Sequence, residues 1–343
     1  MYFTRYYLKH IEDNLKEVEF DFLKGKSIMV TGATGMIGSA LVDMLLTANR
    51  KYSLGLCVYA VGRNAERGIK RFVQFDYRED EFVFIEHDVS NPFEGDMHVD
   101  YIVHAASNAY PAVFAQYPVE TMLGNFNGTY YLLQKAKQWG ASFLFVSSGE
   151  IYGEMNKDVK TEKDYGFVDV MSVRSCYPNS KRAAETLCAA YANEYAVRAL
   201  VVRPSHVYGP TMTVTDNRAA SEFIRFGVYK KNIVMNSNGM ILRSYTYVFD
   251  VCTGILKVLE KGVTANAYNI ADENKAVYIH KFAECVAKEA NVKVVMQISN
   301  HMCDGVSTIS RQVMSGAKLK KLGWNCQYNI EDGIKETLRC LSI

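Results

Sequence analysis

The sequence predicts an α/β fold, with a doubly wound parallel sheet and a smaller α/β lobe toward the C-terminus. Short apolar runs typical of buried strands alternate with helical stretches, as in a parallel sheet that helices cover on both faces. A glycine-rich turn also separates the first run from the helix that follows it. The strand-like runs are Lys26–Val30, Leu56–Val61, Phe82–Ile85, Tyr101–His104, Phe143–Ser147, Ala199–Val202 and Ala267–Ile270.

Three helical stretches between these runs support the alternation. They are Met36–Ala48, Val119–Gln138 and Asn179–Tyr195. Past about Gly209 the alternation becomes irregular, which indicates that a second unit begins there. We therefore divide the chain into an N-terminal extension (residues 1–24), a sheet domain (residues 25–205) and a smaller lobe (residues 206–343).

The N-terminal extension is predicted to form an amphipathic helix. Its apolar residues recur every three or four positions, with charged residues between them. Such a helix either binds a partner or packs on its own domain, and we favour the second. The apolar positions are Tyr7, Leu8, Ile11, Leu15, Val18 and Phe22.

The composition excludes several classes of protein. Of the 343 residues, 49% are hydrophobic and 22% are charged, which excludes a disordered chain. The net charge of +2 argues against a nucleic-acid partner. No apolar run approaches the ~20 residues that cross a membrane, and the charged N-terminus is unlike a signal peptide. The eight cysteines lack metal-ligand spacing, so we expect a soluble, cytoplasmic protein with free thiols and no metal.

A glycine-rich turn follows the first strand-like run and opens a helix. Its sequence is Gly32-Ala33-Thr34-Gly35-Met36-Ile37-Gly38. Glycines let the backbone approach a pyrophosphate, and the helix N-terminus supplies N–H donors and a positive dipole. A tight turn with close helix contact shows a similar pattern, so the position directly after a strand is what predicts dinucleotide binding.

The end of the second strand-like run bears on which dinucleotide is bound. An acidic residue usually stands there and binds the adenine ribose hydroxyls. This chain has Gly62-Arg63-Asn64 instead. Arg63 either pairs with a 2′-phosphate, as in NADP, or stacks on adenine or faces solvent, so NAD and NADP both stay open.

A tyrosine and a lysine four residues apart form a candidate base. They belong to the segment Tyr177-Pro178-Asn179-Ser180-Lys181 and share one face of a predicted helix. An ammonium group beside a phenol favours the phenolate and lowers its pKa. The spacing therefore predicts that Lys181 turns Tyr177 into a base near neutral pH.

A third motif follows the fifth strand-like run. It reads Ser147-Ser148-Gly149-Glu150-Ile151-Tyr152-Gly153. Ligands of open parallel sheets bind beyond the carboxyl ends of the strands. A hydroxyl group there can hydrogen-bond a substrate oxygen and a carboxylate can move a proton, although serine and glutamate also simply cap loops.

In this order, the three motifs resemble those of the extended short-chain dehydrogenase/reductases that act on nucleotide sugars. The resemblance extends from about Lys26 to the C-terminus. It implies a Rossmann-type dinucleotide-binding domain over residues 25–205 and a lobe over residues 206–343 that mainly binds the nucleotide sugar. Further matching stretches are His87-Asp88-Val89, His104-Ala105-Ala106-Ser107, Asn125, Arg203–Pro210, Arg243, Tyr247–Asp250 and Leu319–Trp324.

The resemblance implies a role for each matching residue. Tyr177 is expected to take the proton of a sugar hydroxyl, Lys181 to hold the nicotinamide ribose, and Ser148 to hydrogen-bond the same sugar oxygen. Glu150 completes the expected catalytic set. The expected cofactor-binding residues are Gly32, Thr34, Gly35, Met36, Ile37, Arg63, Asp88, Val89, Ala105, Ala106, Ser107, Asn125, Tyr177, Lys181, Arg203 and Ser205.

The residue beside Ser148 indicates the branch of the family. The 4,6-dehydratases typically carry Asp-Glu there, whereas this chain has Gly149-Glu150, which is nearest to the UDP-glucuronate decarboxylases. Arg243 matches an active-site arginine of that branch, although many family members use this position to bind the pyrophosphate. The substrate-binding residues that the resemblance implies are His206, Arg218 and Arg243.

The resulting hypothesis is a homodimeric enzyme with bound NAD that converts UDP-glucuronate to UDP-xylose through transient oxidation at C4. The two long predicted helices would form the dimer interface. Two departures from the decarboxylases are Gly62-Arg63 in place of an acid and His206 in place of the asparagine common in the family. A 4,6-dehydratase or an epimerase acting on a UDP-, CDP- or dTDP-sugar therefore stays open, and more remotely a non-catalytic dinucleotide-binding scaffold.

Overall fold

Thirteen strands and eleven α-helices are found in the part of the chain that a computed structural model describes, residues 5–75, 77–95, 97–297 and 311–342. The strands are β1 (Ser27–Thr31), β2 (Cys57–Gly62), β3 (Phe82–Glu86), β4 (Tyr101–His104), β5 (Ser142–Val146), β6 (Ala199–Pro204), β7 (His206–Tyr208), β8 (Ile233–Met235), β9 (Leu242–Tyr247), β10 (Ala267–Ile270), β11 (Ala276–Tyr278), β12 (Val294–Met296) and β13 (Arg311–Gln312). The helices are α1 (Arg5–Asn14), α2 (Met36–Tyr52), α3 (Ala65–Phe72), α4 (Pro111–Gln116), α5 (Pro118–Trp139), α6 (Cys176–Tyr195), α7 (Ala219–Val228), α8 (Val248–Lys261), α9 (Ile279–Ala290), α10 (Ala317–Lys320) and α11 (Ile330–Leu341).

Seven parallel strands form the central sheet, in the order β10-β6-β5-β4-β1-β2-β3. The order reverses between β1 and β4, so the chain segments that leave these two strands diverge and open a crevice at their carboxyl ends. The predicted doubly wound α/β fold is confirmed. Its sheet places the glycine-rich turn, the loop after β4 and the loop after β5 along one edge.

Strand residues alternate between two apolar layers because successive side chains point to opposite faces. On β1, Ile28 and Val30 belong to the layer that includes α2 and α8, whereas Met29 belongs to the layer that includes α5 and α6. In β1 and β4, every residue after the first one of the strand is therefore buried. This explains why the strands read as nearly continuous apolar runs in the sequence.

The smaller lobe is built around β9. This strand pairs with β11, β13 and β7, and a separate pair joins β12 to β8. The lobe does not take all of residues 206–343, because β10 joins the central sheet and α8 covers one face of it. The two units thus share elements beyond residue 205, and the division of the chain into domains stays a prediction.

Element bounds agree with the sequence-based expectations within about two residues for the strands, whereas the N-terminal helix was overpredicted. Helix α1 ends at Asn14 and is followed by two short 3-10 turns, Leu15–Glu17 and Asp21–Leu23. The apolar positions past Asn14 are mostly buried by these turns instead. Residues 1–4 lie outside the described part of the chain.

Helix α1 packs on its own chain, as favoured, and connects both units. The Tyr7 hydroxyl donates a hydrogen bond to the buried carboxylate of Asp43 on α2, which Arg71 of α3 also pairs with. On the other side, His10 Nε2 lies 2.9 Å from the Tyr247 hydroxyl at the end of β9. Tyr6 hydrogen-bonds Glu336 of α11.

Candidate functional site

The glycine-rich turn after β1 forms a tight backbone cradle. Gly32 has a φ of +66°, and a Cβ atom there would lie 2.7 Å from the Cα atom of Ala106. A Cβ atom on Gly38 would lie 2.2 Å from the Gly32 carbonyl oxygen. Gly35 stands directly before α2 at the N-cap position and has no side chain, so no capping side chain occupies the first N–H groups of the helix. This cradle fits a pyrophosphate group.

Two buried polar atoms at the same edge have no hydrogen-bond partner among the residues that the structure describes. They are Nε2 of His104, at the end of β4, and the Oγ atom of Ser147, just after β5. The other ring nitrogen of His104 lies 2.7 Å from the Thr31 hydroxyl. Burial lowers the pKa of His104 to about 3, with a further contribution from Lys181, so its imidazole is neutral. Unpartnered buried groups at the carboxyl edge of a sheet suit a ligand that supplies their partners.

The adenine end of the expected cofactor site has little negative charge. Arg63 is exposed after β2, and Asn64 uses its side chain to cap α3 by accepting a hydrogen bond from the Arg67 N–H group. Burial raises the pKa of Asp88, but hydrogen bonds from Ser90 and the charge of Arg63 outweigh it, so the pKa is lowered. Asp88 is therefore the ionised acid of this corner. The structure supplies no second acid at the end of β2.

Asn125 links the loop after β4 to helix α6 by hydrogen bonds. Its amide oxygen accepts a hydrogen bond of 2.8 Å from Ser107, and its Nδ2 atom donates one of 2.9 Å to Ser180 on α6. Both ends of the amide are thus engaged within the protein, and the residue is buried. Asn125 thus positions the loop after β4 against the helix that carries Tyr177, and its expected contact with the cofactor stays a prediction.

Arg203 and Ser205, which are also expected to bind the cofactor, make hydrogen bonds to other residues of the protein. The Arg203 guanidinium forms a buried ion pair with Glu185, 2.6 Å at its shortest, and donates to the Tyr152 hydroxyl at 3.0 Å. Ser205 lies 2.7 Å from the Thr246 hydroxyl. A buried guanidinium needs a paired carboxylate, so Arg203 stabilises the junction of α6 and β6. Cofactor binding by Arg203 and Ser205 stays a prediction.

Tyr177 lies at the centre of a second group of site residues, which surround the start of α6 and the turn after β5. Only 6% of it is exposed, the Phe114 ring stacks on it at 5.3 Å, and Ser148 hydrogen-bonds its hydroxyl. Burial raises the pKa of Tyr177 to about 12, and the carboxylate of Glu150 adds to the shift, while Ser148, Arg218 and Arg174 oppose it. The phenol is therefore protonated at neutral pH in this structure.

Lys181 does not bring the pKa of Tyr177 below its ordinary value, contrary to the sequence-based prediction, because burial raises that pKa to about 12. Its Nζ atom donates to the Val146 carbonyl at 2.9 Å and lies 5.9 Å from the centre of the Tyr177 ring. Burial lowers the pKa of Lys181 to about 7, against an opposing contribution from Glu185, so only part of the population is charged at neutral pH. Burial thus dominates both groups.

Glu150 is held by an arginine that the sequence analysis did not select. Arg174 lies just before α6 and binds Glu150 at 2.8 Å, and both side chains are 25% exposed. The same guanidinium lies 4.6 Å over the Phe114 ring, and its Nε atom is buried without a partner. The contact fixes the carboxylate beside Tyr177.

Several cations face this carboxylate and Tyr177. Arg218 pairs with Asp216 at 2.6 Å, and its charge acts on Tyr177 and His206. Arg243 is buried, with an unpartnered Nη1 atom, and interacts with Glu150. Burial lowers the pKa of His206 to about 3, helped by Arg243 and Arg218, so His206 is neutral. The predicted substrate residues thus lie close together, in surroundings that suit an anion.

Gly149 has no room for a side chain. A Cβ atom there would lie 2.5 Å from the Met314 Sδ atom and 3.3 Å from the Gln312 Nε2 atom. Both residues come from the segment that starts with β13 and are buried. Lys160 is also buried nearby, and burial together with the charge of Arg243 lowers its pKa to about 8.

The sequence analysis missed Gln312, Met314, Lys160, Arg174 and Phe114 as site residues. Arg174 carried a weak signal, because it stands three residues before Tyr177 in a stretch typical of the decarboxylases. The others lie outside any motif, and only the fold brings them to the turn after β5. Among the described residues, no group of three His, Cys, Asp or Glu side chains is arranged to hold a metal, and no described helix is long and apolar enough to span a membrane.

Curated relatives cover most of the chain. UDP-glucuronic acid decarboxylase 6 of Arabidopsis thaliana is 29% identical over 313 residues, which are 91% of this chain and 88% of that protein. UDP-glucuronic acid decarboxylase 1 of Xenopus tropicalis is 29% identical over 315 residues, 91% of this chain and 71% of that protein.

Solved structures share the fold at lower identity. UDP-glucuronic acid 4-epimerase of Bacillus cereus, in complex with UDP-glucuronic acid and NAD, superposes with a TM-score of 0.77 at 21% identity, covering 92% of this chain and 98% of that one. The dTDP-glucose 4,6-dehydratase DesIV of Streptomyces venezuelae has a TM-score of 0.76 at 22% identity, with 92% and 96% coverage.

One family model matches most of the chain. It is described as the NAD dependent epimerase/dehydratase family and covers residues 28–271. That range begins within β1 and ends just after β10, so it contains the glycine cradle, Tyr177 and the buried arginine of β9. The chain belongs to the NAD-dependent epimerase/dehydratase family.

Proposed function

We propose that this protein is a nucleotide-sugar enzyme that uses bound NAD to decarboxylate UDP-glucuronate and so forms UDP-xylose. The observation that carries the proposal is Arg243, a buried arginine whose Nη1 atom has no partner, beside Glu150. A buried guanidinium with free donors suits a carboxylate. The relatives named UDP-glucuronic acid decarboxylases support the same substrate.

Tyr177 and Ser148 bind the sugar oxygen at C4. When bound, NAD supplies the acceptor for the C4 hydride and a positive charge that favours the phenolate. Tyr177 takes the proton of the C4 hydroxyl, while Ser148, which hydrogen-bonds Tyr177, binds the same oxygen and fixes its direction. Tyr177 needs the positive charge of the bound cofactor and the hydrogen bond from Ser148, because burial by itself raises its pKa and keeps the phenol protonated.

Carbon dioxide leaves from the 4-keto sugar acid. The bond between C5 and the carboxyl carbon breaks, and its electron pair moves toward the C4 ketone to give an enolate. Arg243 orients the carboxylate before the bond breaks, and Tyr177 donates its proton to the enolate oxygen. Glu150, held by Arg174 at 2.8 Å, positions the water or proton that reaches C5. Tyr177 takes the enol proton back as C5 is protonated and donates it to the C4 oxygen when the ketone is reduced. The bound cofactor would supply the hydride for that reduction, which would give the pentose.

The turn after β5 argues against a 4,6-dehydratase. That reaction needs an acid to protonate the departing C6 hydroxyl, and the dehydratases typically place it at the position of Gly149. Here the space beside Gly149 is filled by the Met314 thioether. Loss of water is therefore the less favoured outcome, whereas epimerisation at C4 needs no residue that this site lacks.

The deciding measurement is mass spectrometry of the products after the NAD-loaded protein is incubated with UDP-glucuronate. We expect loss of CO₂ and a UDP-pentose. A product of unchanged mass would indicate an epimerase, and unaltered substrate with folded, NAD-loaded protein would contradict the proposal. UDP-, CDP- and dTDP-hexoses would then be tested for loss of water.

We also infer a homodimer formed by the long helices. One face of α5 exposes an apolar stripe at helical spacing, which a monomer would leave in water. The stripe consists of Val119, Met122, Leu123, Phe126 and Tyr130. Sedimentation should show a dimer for the native protein and a monomer for the double variant Leu123→Glu/Phe126→Glu, while Met240→Glu, at an exposed position elsewhere, stays dimeric. The cytoplasmic location stays a prediction.

A further inference from the structure

Two buried hydrogen-bond donors stand side by side on paired strands of the smaller lobe. Gln312 of β13 lies directly opposite Arg243 of β9 in the parallel pairing. Neighbouring strands are about 4.8 Å apart and opposite residues point to the same face. Gln312 is 4% exposed and Arg243 is 3% exposed.

The Nη1 atom of Arg243 is buried and has no partner among the described residues. A guanidinium N–H group that is buried without a partner costs free energy. Together with the Gln312 side chain directly opposite on the neighbouring strand, this unpaired donor indicates a ligand that accepts hydrogen bonds at this surface.

The Gln312 amide faces the turn that carries the catalytic residues. Its Nε2 atom lies 3.3 Å from the position of a Cβ atom on Gly149, the residue between Ser148 and Glu150. Met314 occupies the remaining space beside Gly149 and contributes no polar side-chain group. The amide is thus a hydrogen-bond donor that β13 presents to this turn, and the Arg243 guanidinium is carried by the residue opposite it on β9.

We propose that Gln312 and Arg243 together bind the carboxylate on C5 of the sugar, and that Gln312 determines the preference for an acidic over a neutral sugar. The inference rests on the proposed function, whose substrate carries that carboxylate. A planar carboxylate offers two acceptor oxygens, one for each donor. The hydroxymethyl group of a neutral hexose offers a single uncharged oxygen, which is a weaker acceptor for these two donors.

The two donors contribute differently to recognition. Arg243 supplies charge and would also attract the pyrophosphate of any nucleotide sugar. Gln312 is neutral, so its contribution depends on a hydrogen bond to a specific acceptor, and such bonds are stronger when the acceptor is ionised. The position of Gln312 therefore distinguishes the sugar, while Arg243 strengthens binding of anions in general.

The test measures binding of UDP-glucuronate and UDP-glucose to NAD-loaded protein by titration calorimetry. All proteins carry Tyr177→Phe, so that substrate is not consumed during the titration. Gln312→Leu removes the donor and Gln312→Glu places a negative charge beside the carboxylate with little change of shape. Gln74→Leu, the same substitution at an exposed position, is the control.

We expect native Gln312 to favour UDP-glucuronate over UDP-glucose. Gln312→Leu should weaken UDP-glucuronate binding about tenfold to a hundredfold, the range for a hydrogen bond to a charged group, and change UDP-glucose binding less than about threefold. Gln312→Glu should reverse the preference through like-charge repulsion. Gln74→Leu should change neither constant.

Equal weakening for both sugars, or no weakening at all, would overturn the role of Gln312. If Gln312→Leu melts below the temperature of the titration, the near-isosteric Gln312→Glu alone decides. Failure of the proposed function is seen separately: protein with native Tyr177 would leave UDP-glucuronate without loss of CO₂, while the binding preference and its dependence on Gln312 persist.

Discussion

The two halves of the candidate site differ in whether backbone or side chains form them. The half at the carboxyl ends of β1 and β4 is made of backbone, where Gly32 and Gly38 allow chain segments to approach so closely that a methyl group would collide. The half around Tyr177 is made of buried side chains, including Glu150, Arg174 and Arg243. The first half should therefore fail when atoms are added, and the second when a group is removed.

The largest expected effect is removal of one hydroxyl group from the side-chain half. Tyr177→Phe should lower turnover of UDP-glucuronate about a thousandfold, because it removes the group that exchanges the proton of the sugar. The Kd for NAD should change less than about threefold. Tyr229→Phe, an exposed tyrosine, serves as the control in the same rate assay. Full turnover by Tyr177→Phe would contradict both the role of the residue and the comparison.

Addition of one methyl group to the backbone half should come next. Gly32→Ala and Gly25→Ala occupy positions with the same φ of +66°, but a Cβ atom on Gly25 meets nothing within 4 Å. Gly25→Ala should cost about 1 kcal/mol of unfolding free energy from backbone strain alone. Gly32→Ala should cost about 2–4 kcal/mol and abolish NAD binding. Urea unfolding and NAD titration compare them, and equal losses would refute the cradle.

Substitution of Lys181 should show that a buried charge in the side-chain half lowers the free energy of unfolding of the native protein. The pKa of Lys181 is about 7 in the folded protein and ~10.4 unfolded. The unfolded chain therefore binds more protons between these values, and this residue penalises folding fully below pH 7 and progressively less toward pH 10. Lys181→Met should stabilise the protein by about 1–3 kcal/mol at pH 6, while turnover is lost.

Thermal melting at pH 6 and pH 10 checks this sign. The stabilisation should shrink at the higher pH, because the lysine of the folded protein is then neutral and most of the free-energy penalty of burying its charge is gone. Lys231→Met changes an exposed lysine and should alter neither melting temperature. A gain that is independent of pH would mean that packing, and not the buried charge, is responsible.

The smallest effect is expected at the exposed corner of the backbone half. Arg63→Ser should change the Kd for NAD less than about threefold, because exposed side chains contribute little. Protein-fluorescence titrations with NAD and NADP measure this directly. Tighter binding of NADP to the native protein, lost in Arg63→Ser, would show that the cofactor is NADP.

The backbone half was the more predictable of the two. Strands such as Tyr101–His104 and Ala267–Ile270 agree with the sequence because a sheet covered on both faces requires unbroken apolar runs. The Gly32 turn is local in the chain, so its function can be read from its position after β1. The prediction for helix α1 was too long because the helical spacing of apolar residues continues past Asn14. There a 3-10 turn, and not an α-helix, buries Leu15.

The side-chain half was predictable only in part. Tyr177 and Glu150 stand in motifs, but Gln312 reaches the site through a strand pairing between distant segments, which no local pattern reveals. The direction of the Tyr177 pKa was also mispredicted, because helical spacing shows that Lys181 is near without showing how deeply both groups are buried. Burial is a property of the whole fold.

Helix α1 has a consequence for the order of assembly. It is synthesised before the other described helices and strands, and its contact with Asp43 on α2 can form soon afterwards. Its other partners, Tyr247, Tyr328 and Glu336, lie more than 230 residues further along. Contacts of such sequence separation form slowly. During synthesis, the side of α1 that contacts these residues therefore stays exposed to solvent. It becomes buried only after α11 has been synthesised and has folded against it.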